Sequence, residues 1–129
     1  MKYYIETAVK TDFETAITMV KDELKKEGFG VLSEIDIQEK LKEKLDVDFK
    51  KYIILGACNP PKAFEALKAE NHIGLMLPCN VVVQESSHSD KINISAIDPE
   101  ASMMAVDNES LKPIAEEIKK KLEQVIRSL

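Results

Sequence analysis

Apolar positions recur at three- and four-residue intervals in two long stretches of this chain, and at two-residue or unbroken spacing in several short ones. Phe13, Ala16, Ile17, Val20 and Leu24 fall on one side of a 3.6-residue period and predict an amphipathic helix. Thr11 and Glu14 have the spacing of a capping box, in which the hydroxyl accepts from the third helical amide and the carboxylate reaches back. Gly28 is placed to end that helix in the left-handed conformation, with Phe29 beyond it packing on Leu24. The second stripe is Leu111, Ile114, Ala115, Ile118, Leu122 and Val125. It predicts a C-terminal helix that starts near Ser110, so that Pro113 falls in the first turn, where its missing N–H costs nothing.

The short apolar runs read as strands. Residues 2–9, Phe29–Ile35, Tyr52–Cys58, Val81–Glu85 and Lys91–Asp98 are rich in β-branched and aromatic types, and Ser86 to Asp90 makes a polar hairpin loop between the last two. Tyr52–Cys58 is apolar on both faces, as a buried strand is. Asp36 and Glu39 repeat the capping-box spacing before a short helix carrying Ile37, Leu41 and Leu45. A third helix over 61–70 presents Phe64 and Leu67, with Pro61 at its first position and Pro60 at the cap. Residues 71–77 read as a loop, and a short helical segment with Met103, Met104 and Val106 follows Asp98-Pro99. Together these predict an α+β fold. Its single antiparallel or mixed sheet has about five strands and is covered mainly on one face by the two long helices, with short extra helices. The 129 residues fit a single domain, 1–129.

Charge narrows the partners. The net charge is −5 and the lysines are interleaved with glutamates, as in Lys119-Lys120-Lys121, so the clustered cations of a nucleic-acid interface are missing. The longest nearly apolar run, Ile73 to Val83, is broken by Pro78 and Asn80 and falls short of the ~20 residues of a membrane span. The N-terminus shows no secretory pattern, and two cysteines in that setting are expected to be reduced thiols of a cytoplasmic protein.

Both cysteines sit beside asparagine and proline, in Cys58-Asn59-Pro60-Pro61 and Pro78-Cys79-Asn80. A thiol just outside a helix N-terminus feels the positive end of the helix dipole, which favours thiolate. Two prolines remove two of the amide donors there, which weakens that effect. A free cysteine also packs as a small hydrophobe, and an asparagine at a strand end caps or turns the backbone, so structural roles compete at each position. Asp98 has the same double reading: an acid at a strand end beside a site, or the cap of a helical turn before Pro99. No metal site is expected, because no Cys-x-x-Cys pair exists and only His72 and His88 remain as further soft ligands. No phosphate loop, nucleophile elbow or zinc-protease motif is present, and the sequence leaves any cofactor unidentified.

Four blocks, Gly28 to Asp36, Tyr52 to Pro60, Gly74 to Val83 and Asp98-Pro99, resemble domain of unknown function family 302. The resemblance implies an α+β fold similar to a single repeat of the TATA-binding protein with additional helices, and a homodimer. It places Cys58, Asn59, Pro60, Pro78, Cys79, Asn80 and Asp98 on the family's signature positions and brings no established activity with it. The expectation is a small domain that binds a small-molecule ligand, or responds through its thiols, at the paired Cys-Asn motifs. The alternative is a non-catalytic homodimeric assembly module with both cysteines structural. A cysteine nucleophile is the weakest reading, since no base is assigned to it.

Overall fold

Along Ile92–Ile97, residues Ile92, Ile94 and Ala96 are buried while Asn93, Ser95 and Ile97 are half-buried, the two-residue period of a strand with one face on a core. The computed structural model, which describes residues 2–129, extends this pattern to five strands: β1 (Tyr4–Val9), β2 (Gly30–Asp36), β3 (Tyr52–Cys58), β4 (Cys79–Glu85) and β5 (Ile92–Ile97). They form one sheet in the order β1-β5-β4-β3-β2, every neighbouring pair antiparallel. Two long helices, α1 (Phe13–Lys26) and α5 (Lys112–Arg127), lie on the same side of it. α1 buries Phe13, Ala16, Ile17, Val20 and Leu24 there, and α5 buries Ile114, Ala115, Ile118, Leu122, Val125 and Ile126. They meet Leu55, Val81, Val83 and Ile94 of the sheet, each fully buried. The fold class read from the sequence is therefore the observed one, with the sheet wholly antiparallel.

Local chemistry explains the element ends and corrects several expectations. The cap of α1 is Asp12, not Thr11: its carboxylate accepts from the Thr15 N–H and hydroxyl, both at 2.8 Å. The shift puts Phe13 at the first helical position, facing the core. At the other end Gly28 adopts φ +84°, its N–H reaches the Lys25 carbonyl at 3.1 Å, and the Phe29 N–H reaches the Leu24 carbonyl at 2.9 Å. That is the double bond of a Schellman stop. Asp36 caps the short α2 (Ile37–Leu45) through the Glu39 N–H at 3.0 Å.

The third helix, α3 (Pro60–Ala69), faces the opposite way from the sequence reading. Ala66 is buried, while Phe64 and Leu67 are exposed. α3 lies close against α5 and the turn after it, where only a small side chain fits between backbones. Residues 71–77, read as a loop, contain a 3-10 turn over Asn71–Met76 that buries Ile73. β4 starts at Cys79 rather than Val81, so the second Cys-Asn pair lies inside a strand. α4 is a single turn, Pro99–Ser102, and a 3-10 turn over Glu109–Leu111 leads into α5, with Pro113 in its first turn as expected.

Replacing Gly28 by alanine forces a Cβ into the left-handed region and places it 3.3 Å from the Asn59 side-chain nitrogen. We expect Gly28→Ala to lower stability by about 1–2 kcal/mol, read as a lower urea midpoint with an unchanged m-value.

Candidate functional site

The register between β3 and β4 pairs Gly56 with Asn80 and Ala57 with Cys79. Successive strand side chains point to opposite faces, so Leu55, Ala57, Cys79 and Val81 face α1 and α5, while Gly56, Cys58, Asn80 and Val82 face the open side. The six residues Cys58, Asn59, Pro60, Pro78, Cys79 and Asn80 are thus brought to one end of adjacent strands, but they divide between two faces. Asp98 follows β5 at the same end, since Val81 pairs with Ala96 there. The thiols are diagonal neighbours with divergent Cα–Cβ directions, an arrangement that a disulfide cannot bridge without backbone movement.

On the helix side each residue has a structural task. Cys79 is buried, and burial raises its thiol from an ordinary 9.0 to about 11, with the nearby Cys58 sulfur adding to the rise. At neutral pH it is a neutral, core-packed thiol. Asn59, not Pro60, is the cap of α3; its carboxamide oxygen accepts from the Lys62 N–H at 3.4 Å. A proline offers no side-chain acceptor, whereas Pro60 and Pro61 in the first two helical positions sacrifice only amides that have no intrahelical partner. The Asn59 amide also donates to the Glu27 carbonyl at 3.4 Å, joining the start of α3 to the end of α1. Asp98 caps α4 through the Glu100 and Ala101 amides and accepts from the Lys119 ammonium at 3.0 Å. That hydrogen bond holds the Lys119 pKa above its usual value.

On the open side the second motif serves shape. Pro78, reached through a cis Leu77–Pro78 peptide, lies over Gly56. A Cβ on Gly56 would collide with the Ser33 hydroxyl and lie 2.8 Å from the Pro78 Cγ. Ser33 is opposite Gly56 on β2, just after the register slips at Leu32. Asn80 caps nothing; it is an exposed residue within β4.

Asn80 also lines a shallow groove of about 400 Å³ across this face, with Tyr4, Tyr52, Gln84, Asn93 and Ser95 among its other walls. Sequence reasoning passed over these residues. Their signal was the alternation with Ile and Val along β3, β4 and β5, which marks them as one face but not as a site. A larger cleft of about 980 Å³ lies between α4 and α5, and Asp98 is the one signature residue that lines it. Two ion pairs lie within it, Asp98–Lys119 and Glu109–Lys112, while Glu100, Asp107 and Glu116 also line it. Both histidines are exposed, and among the described residues no three His, Cys, Asp or Glu side chains gather as metal ligands would. Nor is any helix long and apolar enough to cross a membrane.

Two measurements check this geometry. Gly56→Ala is expected to cost at least ~2–3 kcal/mol through forced displacement of Ser33 and Pro78, and Ser33→Gly in the same chain is expected to recover part of it. The Cys79 pKa is higher folded than unfolded, so its contribution is complete below pH 9 and is lost as pH rises through about 11. The loss is on the order of 2–3 kcal/mol. Denaturant titrations of wild type and Cys79→Ala are expected to diverge in slope over this range, and parallel profiles would contradict the buried thiol.

Comparison with known proteins agrees with the architecture. No curated protein sequence matches the chain. A crystal structure of an uncharacterised conserved DUF302 protein from Bacillus stearothermophilus superposes with a TM-score of 0.90 at 31% identity, covering 98% of each chain. Residues 5–129 match the family described as domain of unknown function DUF302, and the chain belongs to that family.

Proposed function

We propose that this chain is a non-catalytic binding domain that works through the open face of its sheet, where a small ligand occupies the groove lined by Asn80. The supporting observation is the contrast between the two faces. α1 and α5 seal one, whereas the other leaves Val82, Gln84, Asn93 and Ser95 only half-buried around a concavity. Ligand sites typically combine an apolar floor with a few convergent polar groups. Val82 and Ile97 supply such a floor here, and the asparagines and Gln84 supply the polar groups.

Catalysis has little to work with. Cys79 is sealed and neutral, and neither histidine lines the groove. A dithiol response is disfavoured by the divergence of Cys58 and Cys79. The role of the paired motifs in this reading is to build the end of the sheet, with Asn80 alone of the seven signature residues reaching the groove. Titrating isotope-labelled protein with a small-fragment panel checks it. Amide shifts are expected at Asn80, Val82, Gln84, Asn93 and Ser95. Shifts confined to the cleft between α4 and α5, or none with any fragment, would overturn it.

A second reading, homodimerisation through the same side, is favoured by the exposed apolar residues at the β2 edge: Leu32 at 69% and Ile35 at 43%. Five strands spaced ~4.8 Å apart and ~20 Å long present ~500 Å² of projected area, short of the ~800 Å² per partner of a standard interface. A stable dimer would therefore have to include the β2 edge and the exposed Leu45, Val47 and Phe49 that follow it. Under this reading Ile35→Lys weakens self-association at least ~10-fold, roughly the 1.4 kcal/mol that a desolvated charge readily exceeds. Sedimentation velocity measures it, and a wild-type chain that stays monomeric across the micromolar range would contradict the dimer.

A further inference from the structure

The geometry points to an uncharged, hydroxyl-rich ligand for the open-face groove, of the chemical class of a neutral oligosaccharide; this rests on the binding role proposed above and adds what is bound.

Strand register builds the lining. Gln84 faces Asn93 across β4 and β5, Val82 faces Ser95, and Ser95 faces Glu6 of β1. Directly opposed side chains on one face stand ~5 Å apart, so Gln84 and Asn93 place two carboxamides side by side. Tyr52 flanks Gln84 on β3, and Tyr4 flanks Ile97 on β1. The Asn93 amide donates to the Glu6 carboxylate at 2.9 Å, which holds that side chain in the wall of the groove.

The inventory of groups selects the ligand. Gln84, Asn80, Ser95 and the tyrosine hydroxyls each offer both a donor and an acceptor. Groups of that kind match hydroxyls, which also do both. No lysine or arginine lines the groove. Lys2 sits 5.5 Å from the Tyr4 ring centroid and 3.7 Å from Glu6, and does not line the groove. A phosphate or carboxylate entering the groove would lose hydration without gaining a counter-charge. A cation would meet one carboxylate that Asn93 already engages. Pyranose rings instead present apolar C–H faces, which suit the Tyr4 and Tyr52 rings and the Val82 floor, and hydroxyl edges for the amides. From β1 to β3 the groove crosses three strand spacings, ~14 Å, longer than one sugar ring, which favours an oligomer.

The test titrates labelled protein with maltotriose, cellotriose and tri-N-acetylchitotriose at millimolar concentration, with glucose 6-phosphate as the charged control. At least one neutral trisaccharide is expected to shift the backbone amides of Asn80, Gln84, Asn93 and Ser95 and the side-chain NH2 signals of Gln84 and Asn93. The phosphate is expected to shift none of them. Gln84→Ala, whose side chain projects from the open face, is expected to weaken that binding about 10-fold, the usual effect of losing a hydrogen-bonding partner, with no change in melting temperature. If fragments bind the face but all three trisaccharides leave it unperturbed, or if glucose 6-phosphate binds more tightly, the ligand class is wrong while the open-face role stands. If fragments fail as well, both fall.

Discussion

A side-chain period of two means that the β3–β4 register decides which residues of each strand join the core and which face outwards. Ala57 opposite Cys79 and Gly56 opposite Asn80 settle the matter for the whole end of the sheet. A slip of one residue would invert one strand against the other, turning either Leu55 of β3 or Val81 and Val83 of β4, all fully buried, onto the open side and carrying Gly56 or Asn80 into the core. Burial of each such side chain stabilises the fold by ~1.5–3 kcal/mol, so the register is strongly held. Other features of this region follow from it: the sealed thiol of Cys79, the outward Cys58, and the close approach of Pro78 and Ser33 to a residue with no side chain.

The paired Cys-Asn motif is accordingly two different devices that share a spelling. In the first, Asn59 closes the start of α3 and ties it to the end of α1, close to Gly28, so one polar side chain joins two chain segments. In the second, Cys79 is a core residue and Asn80 a surface one, consecutive positions of a strand. Asp98 belongs with Asn59. It caps α4 and anchors Lys119 of α5, locking the helical layer to the end of the sheet. The face we propose for binding is the open one, where Gln84, Asn93 and Ser95 are half-buried.

Much of this was legible in the sequence wherever a local rule governed it. The two amphipathic stripes, the glycine stop at Gly28 and the Asp36 cap follow from periodicity and backbone geometry within a few residues. Asp12 displaced Thr11 because both can cap, and the choice turns on which register sends Phe13 inwards, a tertiary matter. Phe64 and Leu67 misled for the same reason. A helix lying close against its neighbour buries alanine, and nothing within α3 reveals how close that neighbour is. The arrangement of the two Cys-Asn pairs was not legible in the sequence. Cys58 and Cys79 are far apart in sequence, and only strand pairing shows that they are adjacent yet face opposite ways. The groove residues Gln84, Asn93 and Ser95 were hidden because polar residues alternating with Ile and Val also describe an ordinary solvated sheet face.

The division of the motif between two faces is tested most directly by oxidising the folded, reduced chain with diamide and weighing the intact protein. Divergent Cα–Cβ directions predict that the monomer does not lose two hydrogens to an internal Cys58–Cys79 disulfide while it remains folded. Rapid, complete formation of that disulfide in the native state would place both thiols on one face and contradict the account.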